Sequence, residues 1–132
     1  MTTKNKNISL SYAVTVHNET DTLKELLNTL TAIKDKNDEL IILDDFSTNK
    51  KTNSIIDTCE NLIKRKLVRD YAFHKNHFFN FCKGDYIFQI DGDEIPTKKL
   101  LNNIKKIIML NPTCDLFWIP RENKIINKST DF

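Results

Sequence analysis

The sequence predicts an α/β fold in which a mostly parallel sheet is flanked by helices. Short runs of β-branched and aromatic residues alternate with segments whose apolar residues recur at helical intervals. Strands that alternate with helices in this way form right-handed βαβ units, so the strands lie parallel in one sheet. The length of 132 residues is that of one domain. We therefore predict a single domain over residues 1–132, with a tail at 121–132 that contains no predicted element.

The predicted elements follow one another without repeats or low-complexity segments. Residues 8–16 form the first strand, a helix follows to residue 33, and residues 39–43 form the second strand. Thr22 and Glu25 have the spacing of a capping box at the start of the first helix. The later elements are a helix at 52–65, a strand at 67–73, a short helix at 75–83, a strand at 86–90, a helix from Pro96-Thr97 to Asn111, and a strand at 115–119.

Four aromatic residues are predicted to pack in the core. Phe78, Phe79 and Phe81 lie in the short helix, where core packing is favoured over the stacking of nucleic-acid bases. Trp118 lies on the last predicted strand.

The composition excludes several classes of protein. The net charge of +2, from 20 basic and 18 acidic residues, gives no nucleic-acid signal. No apolar run approaches the ~20 residues of a membrane span, and the N-terminus lacks the apolar core of a signal peptide. We expect a cytoplasmic protein, either free or peripherally bound at a membrane. Cys59, Cys82 and Cys114 include no C-x-x-C pair, so we predict buried free thiols.

The most informative motif is Asp91-Gly92-Asp93-Glu94, which directly follows the apolar run at 86–90. Ligands of open α/β sheets bind at the carboxyl ends of the strands. Clustered carboxylates repel one another unless a cation neutralises them, and their oxygen atoms suit Mg²⁺ or Mn²⁺. Taken alone, the motif is equally compatible with a D-x-D metal site and with an acidic turn.

Other acidic residues follow the earlier strands. Asp44-Asp45 ends the second strand, and Asn18-Glu19 follows the first. In a parallel sheet these loops emerge on one edge, which favours a nucleotide cleft. Asp45 is then placed to accept hydrogen bonds from a base or a ribose.

Four segments form a recognisable series along the chain. They are Val14-Thr15-Val16-His17-Asn18-Glu19, Ile41-Ile42-Leu43-Asp44-Asp45-Phe46-Ser47, Lys75-Asn76 with Gly84-Asp85-Tyr86-Ile87, and Ile90-Asp91-Gly92-Asp93-Glu94. In this order and at these spacings, they resemble the nucleotide-sugar-binding part of a family 2 glycosyltransferase, in a subgroup with an Asp-x-Asp-Glu motif. The resemblance implies a GT-A-like (Rossmann-like) sheet that is incomplete at the C-terminus.

The resemblance also implies a function. A metal-dependent glycosyltransferase of this kind binds a nucleotide-sugar donor, often a UDP-sugar, with Mn²⁺ or Mg²⁺. It transfers the sugar with inversion to an acceptor, here unknown, which is a glycan, a lipid-linked molecule or another compound. By position, the nucleotide-sugar-binding residues are His17, Glu19, Asp45, Lys75 and Asp91, and the metal ligands are Asp93 and Asp91. In this assignment Asp45 contacts the uracil, and Lys75 stands where the family commonly has Arg.

The sequence departs from the family pattern in two places. Phe46 stands where the family usually has Gly, so the turn after the second strand is expected to differ in φ. No general base is identified, since no spacing argument supports Glu122 or Asp131. The alternative is therefore a truncated or non-catalytic nucleotide-sugar-binding module. A phosphatase of the haloacid dehalogenase type is a minor alternative. An exposed edge of an incomplete sheet further predicts a homo-oligomer.

Overall fold

The computed structural model describes residues 7–64 and 78–120 of the chain. Within these ranges, the first strand, the first helix and the second strand follow one another as the hydrophobic patterns predict. The elements are β1 (Leu10–Val16), α1 (Asp21–Ile33), β2 (Glu39–Asp44), α2 (Lys50–Ile56), β3 (Leu62–Lys64), β4 (Tyr86–Asp91) and α3 (Lys98–Leu110).

The four described strands form one parallel sheet in the order β3-β2-β1-β4. Strand β1 is flanked on both sides, which explains why six of its seven residues are buried. Thr15 is in register with Leu43 on one side and with Asp91 on the other. The α/β fold with a parallel sheet is thus confirmed.

The main core lies between one face of the sheet and all three described helices. Apolar residues of α1 and α3 recur every three or four positions, so each helix has one apolar stripe directed at the sheet. The buried residues of this core are Leu10, Tyr12, Val14, Val16, Leu23, Leu26, Leu27, Leu30, Ile42, Ile56, Phe88, Ile90, Leu101, Ile104 and Ile108.

A smaller core covers the opposite face of the sheet. Phe78 is 1% exposed and packs with Ala13, Ile41 and Leu43. The prediction of a core role is confirmed for Phe78, whereas Phe81 is 43% exposed and was wrongly assigned to the core.

At the amino end of the sheet, the backbone of Gly84 lies very close to the backbone of Ser11. A Cβ atom at this position would lie 2.5 Å from the backbone nitrogen of Ser11. The amide of Gly84 donates to Ser11 Oγ at 2.8 Å, and the amide of Asp85 donates to Ser9 Oγ at 2.9 Å. The Gly84-Asp85 pair therefore fixes the start of β4 against the start of β1.

Two predictions at helix ends are wrong. Helix α1 is preceded by Thr20 as N-cap without a side-chain hydrogen bond, so the capping box of Thr22 and Glu25 is wrong. Helix α2 ends at Ile56 rather than at residue 65, because Leu62 and Ile63 pair with β2. The predicted strand at 67–73 lies outside the described residues.

The predicted last strand at 115–119 is also wrong, since this segment is neither helix nor strand. This segment contacts β4 through Phe117, whose ring centroid lies 6.2 Å from that of Tyr86. Trp118 is 89% exposed and is not a core residue.

The cysteines are free, as predicted. Cys59 and Cys82 are half-buried, and burial raises the pKa of the Cys82 thiol to about 11. Cys114 is exposed, which corrects the prediction that all three are buried. Among the described helices, none is both long and apolar enough to cross a membrane.

Candidate functional site

The sheet order reverses beside β1, and the candidate site lies at this reversal. From β1 the chain proceeds through β2 to β3 on one side, and then returns to β4 on the other side of β1. At such a topological switch point, the loops after neighbouring strands diverge and leave a crevice at the carboxyl edge. The loops after β1, β2 and β4 carry His17, Asp45 and Asp93, respectively.

Hydrogen bonds join the carboxyl ends of β1 and β4. Thr15 Oγ1 donates to Asp91 Oδ1 at 2.8 Å, and the amide of Gly92 donates to the carbonyl oxygen of Thr15 at 2.8 Å. Gln89 Nε2 lies 3.5 Å from the same Asp91 oxygen. The half-buried Asp91 carboxylate is thus oriented by its neighbours in the sheet.

A second set of hydrogen bonds joins the loops after β1 and β2. The amide of Asp45 donates to the carbonyl oxygen of Val16 at 2.8 Å, and His17 Nδ1 lies 2.7 Å from the carbonyl oxygen of Asp45. A carbonyl oxygen only accepts, so Nδ1 carries the hydrogen in this contact. In the neutral ring, Nε2 is then a hydrogen-bond acceptor. The imidazole is mostly exposed, while the Asp45 side chain is only 27% exposed.

Glu19 lies between the loops after β1 and β4. Its Oε1 accepts from the amide of His17 at 2.6 Å. A Cβ atom at Gly92 would lie 2.9 Å from the same oxygen, so only a residue without a side chain leaves this carboxylate in place. The Glu19 carbonyl accepts from Thr52 Oγ1 at 2.6 Å, which ties this loop to α2.

The three acidic residues of the Asp91–Glu94 motif have different surroundings. Glu94 Oε1 accepts from the amide of Asp91 at 2.8 Å, and the Glu94 amide donates to the carbonyl oxygen of Asp91 at 2.9 Å. Glu94 therefore closes the turn after β4. Asp93 is exposed at the middle of this turn.

The described residues contain no group of three or more His, Cys, Asp or Glu side chains arranged to hold a metal ion. Magnesium in phosphate sites is typically bound by one or two carboxylates together with phosphate oxygens. Asp91 and Asp93, two residues apart on one turn, satisfy this smaller requirement. The donor set therefore fits a divalent cation that shares its ligands with a bound diphosphate.

Two further expectations concern the remaining candidate residues and the turn at Phe46. Lys75 lies outside the described residues, as do Glu122 and Asp131, so their positions are not described. Phe46 has a φ of 49°, which lies in the left-handed region that glycine adopts without steric cost. The expectation that this turn differs in φ from the family pattern stays a prediction.

The structure also identifies residues that the sequence reasoning did not assign. Thr15 orients Asp91 through its hydroxyl group. Asp44 is 1% exposed and accepts from both the amide and the hydroxyl group of Ser47, at 3.2 and 2.5 Å. Asp44, the last residue of β2, is thus buried and holds the following loop through Ser47, whereas Asp45 lies beside the crevice. No sequence signal separates these roles except the alternation of side chains along β2.

Known glycosyltransferases and a family model match most of this chain. The chain is 27% identical over 106 residues to the SPbeta prophage-derived glycosyltransferase SunS of Bacillus subtilis (strain 168). It has the same identity, over the same length, to the glycosyltransferase SunS of Bacillus phage SPbeta. These matches cover 79% of this chain but 24% of each relative, so the chain spans about a quarter of the length of these relatives. The sequence model described as Glycosyl transferase family 2 matches residues 11–128, and the chain therefore belongs to this family.

Proposed function

We propose that this chain binds the nucleotide-sugar donor of a metal-dependent glycosyltransferase, with a UDP-sugar as the first donor to test. The observation that carries the proposal is the convergence of three loops at the switch point of the sheet. They bring His17 and Asp45 to one side of the crevice and Asp91 with Asp93 to the other. The first pair offers polar contacts for a base, and the second offers carboxylates for a cation.

The charges of the crevice support a role for a cation. Asp45, Asp91 and Asp93 are acidic, and a diphosphate brings further negative charge to the same edge. Like charges gathered at one edge of the sheet repel one another unless a counterion lies between them. A divalent cation bound by Asp93 and Asp91 would remove this repulsion.

The residues of the chain have separate tasks in this proposal. Asp45 accepts a hydrogen bond from the base, and the imidazole of His17 packs or bonds beside it. Asp91, oriented by Thr15, faces the ribose and the cation. When bound, a cation held by Asp93 and Asp91 would supply Lewis-acid stabilisation of the departing diphosphate. Transfer of the sugar with inversion to an acceptor is also part of the proposal. No residue is assigned as the general base or to the binding of the acceptor.

The phosphatase alternative lacks its central residue in this fold. Such an enzyme would carry a nucleophilic aspartate on the first strand, whereas β1 contains no aspartate. The acidic motif follows β4 instead.

Isothermal calorimetry with UDP tests the donor site. We expect binding in the presence of Mn²⁺, loss of binding in EDTA, and loss of binding for Asp93→Asn with Mn²⁺. Asp115→Asn is the matched control, because Asp115 is also exposed but follows α3 rather than β4. Equal binding with Mn²⁺ and with EDTA would contradict the role of the cation. An absence of binding in every condition would contradict the UDP site.

A second assay separates a transferase from a non-catalytic binding module. Slow hydrolysis of a UDP-sugar by the intact chain with Mn²⁺ is expected of the transferase, since water can replace the acceptor. Binding of UDP without any sugar release from UDP-glucose, UDP-galactose or their N-acetylated forms would favour the binding module.

A further inference from the structure

Asn18 lies between His17 and Glu19, and the proposed function gives it no task. It is half-buried and has a φ of 64°, a left-handed conformation that asparagine tolerates better than most residues with a side chain. A residue held in this region requires surrounding contacts that compensate for its cost. The contacts of Asn18 all lead to the neighbouring loop.

The side chain of Asn18 binds the start of α2. Its Oδ1 accepts from the amides of Thr48 and Asn49 at 2.8 and 2.9 Å. These amides precede the first turn of the helix, where backbone donors lack intrahelical partners. The backbone amide of Asn18 donates to Ser47 Oγ at 3.0 Å, and Ser47 is itself held by the buried Asp44.

These three hydrogen bonds fix residues 47–49, which follow Asp45 in the loop after β2. Phe46, with its φ of 49°, connects Asp45 to Ser47. If residues 47–49 were released, Phe46 could relax toward a negative φ, and this rotation would move the Asp45 carbonyl. The hydrogen bond between that carbonyl and His17 Nδ1 depends on its position.

We propose that Asn18 is a positioning residue for the nucleotide base, since it clamps the loop after β2 and thereby keeps His17 and Asp45 in register. The bond to Asp45 holds the His17 ring in its Nδ1–H form, and this form presents Nε2 as an acceptor. The part of this inference that concerns the nucleotide depends on the proposed function. The part that concerns the two loops does not.

The test compares Asn18→Gly with Asn18→Asp. Glycine accepts the left-handed φ at no steric cost but removes the acceptor oxygen. Aspartate tolerates this φ and keeps an acceptor oxygen in the same place. Asn103→Gly is the control for a general loss of stability, because it removes a side-chain hydrogen bond in α3, away from both loops.

The first readout is the ¹⁵N chemical shifts of the His17 ring, assigned by their loss in His17→Gln. We expect the Nδ1–H form in the wild-type protein, in Asn18→Asp and in Asn103→Gly, and a shift toward the Nε2–H form in Asn18→Gly. A general loss of stability would not change the tautomer. An unchanged tautomer in Asn18→Gly would overturn the inference.

The second readout is the affinity for UDP with Mn²⁺. We expect Asn18→Gly to bind about tenfold more weakly than the wild-type protein, and Asn103→Gly to bind with unchanged affinity. Wild-type affinity in Asn18→Gly would overturn the role in positioning the base. For Asn18→Asp only the His17 ring signals are compared with those of the wild-type protein. Its affinity for UDP is not compared, because the added negative charge also acts on the diphosphate. If the wild-type protein fails to bind UDP, the proposed function fails and the ring signals still decide the role of Asn18 in the loops.

Discussion

Thr15 Oγ1 donates a 2.8 Å hydrogen bond to Asp91 Oδ1, across a separation of 76 residues in the sequence. This contact fixes one carboxylate of the proposed cation site to the central strand of the sheet. A carboxylate that is oriented before a ligand arrives loses less conformational freedom on binding.

Thr15→Val removes the hydroxyl group and keeps the shape of the side chain. We expect the affinity for UDP with Mn²⁺ to fall about threefold to tenfold, the range that corresponds to one hydrogen bond. Stability should change by less than about 1 kcal/mol, because valine is well suited to a strand. Calorimetry and urea unfolding measure the two effects. Thr29→Val, which removes a hydroxyl group from α1, is the control, and equal affinities for both variants would contradict the role of Thr15.

The two glycines of the chain should respond differently to alanine. In Gly84→Ala the new Cβ meets the backbone of Ser11 and Leu10, at 2.5 and 2.7 Å, and backbone atoms cannot move aside. We expect a loss of about 1–3 kcal/mol in the free energy of unfolding, the usual range for overpacking.

In Gly92→Ala the nearest atom is the end of the flexible Glu19 side chain. We expect a smaller loss of stability but a weaker affinity for UDP, since Glu19 must leave its bond to the amide of His17. Urea unfolding and calorimetry on both variants check this difference. The opposite pattern, with Gly92→Ala the less stable of the two, would show that Glu19 does not yield.

Phe46 provides a test of backbone strain. Its side chain is 62% exposed, so little packing is lost when the ring is removed. Phe46→Gly and Phe46→Ala both remove the ring, but only glycine adopts a φ of 49° without steric cost. We expect the glycine variant to be more stable than the alanine variant by about 1 kcal/mol in urea unfolding. Equal stability would mean that the loop changes its φ in the alanine variant.

The raised pKa of the Cys82 thiol leads us to predict that the stability of the fold decreases at alkaline pH. Burial, together with the nearby charge of Glu39, raises the pKa of the folded thiol from 9.0 to about 11. Between these values the unfolded chain loses the thiol proton and the folded chain keeps it, so a rising pH favours unfolding. This contribution to stability is complete below pH 9 and is lost as the pH rises toward 11.

Urea unfolding under reducing conditions between pH 8 and 11 measures this effect. We expect Cys82→Ala to show a shallower decline than the wild-type protein. Cys114→Ala, which removes an exposed thiol, should decline as the wild-type protein does. A decline that is the same in all three proteins would contradict the role of Cys82, and would leave the raised pKa values of Cys59, Tyr12 and Lys105 as its sources.

The elements that could be predicted from the sequence are those with a regular pattern of apolar residues along their whole length. Strands β1, β2 and β4 are apolar runs, and α1 and α3 have one apolar stripe each. The carboxyl ends of parallel strands lie at the same edge of a sheet. This rule was sufficient to predict that His17, Asp45 and Asp91 lie at one edge. Local signals therefore accounted for the location of the candidate site.

Two of the errors concern features that depend on contacts between distant residues. Leu62 and Ile63 continue the apolar spacing of α2, and only their pairing with Ile42 and Leu43 makes them a strand. Residues 115–119 have the sequence pattern of a strand, but this segment pairs with no described strand. The tasks of Thr15 and Asn18 likewise follow from partners far away in the sequence.

The position of β1 between β2 and β4 has a consequence for the order of folding. The pairing of β1 with β2 closes a loop of about 28 residues, as in the contact of His17 with Asp45, whereas the contact of Thr15 with Asp91 spans 76. Contacts of larger sequence separation require a larger loss of chain entropy and tend to form later. We therefore expect the loops after β1 and β2 to assemble before the acidic turn after β4 docks. In a stopped-flow refolding experiment, competence to bind UDP with Mn²⁺ would then be the last property that the chain regains.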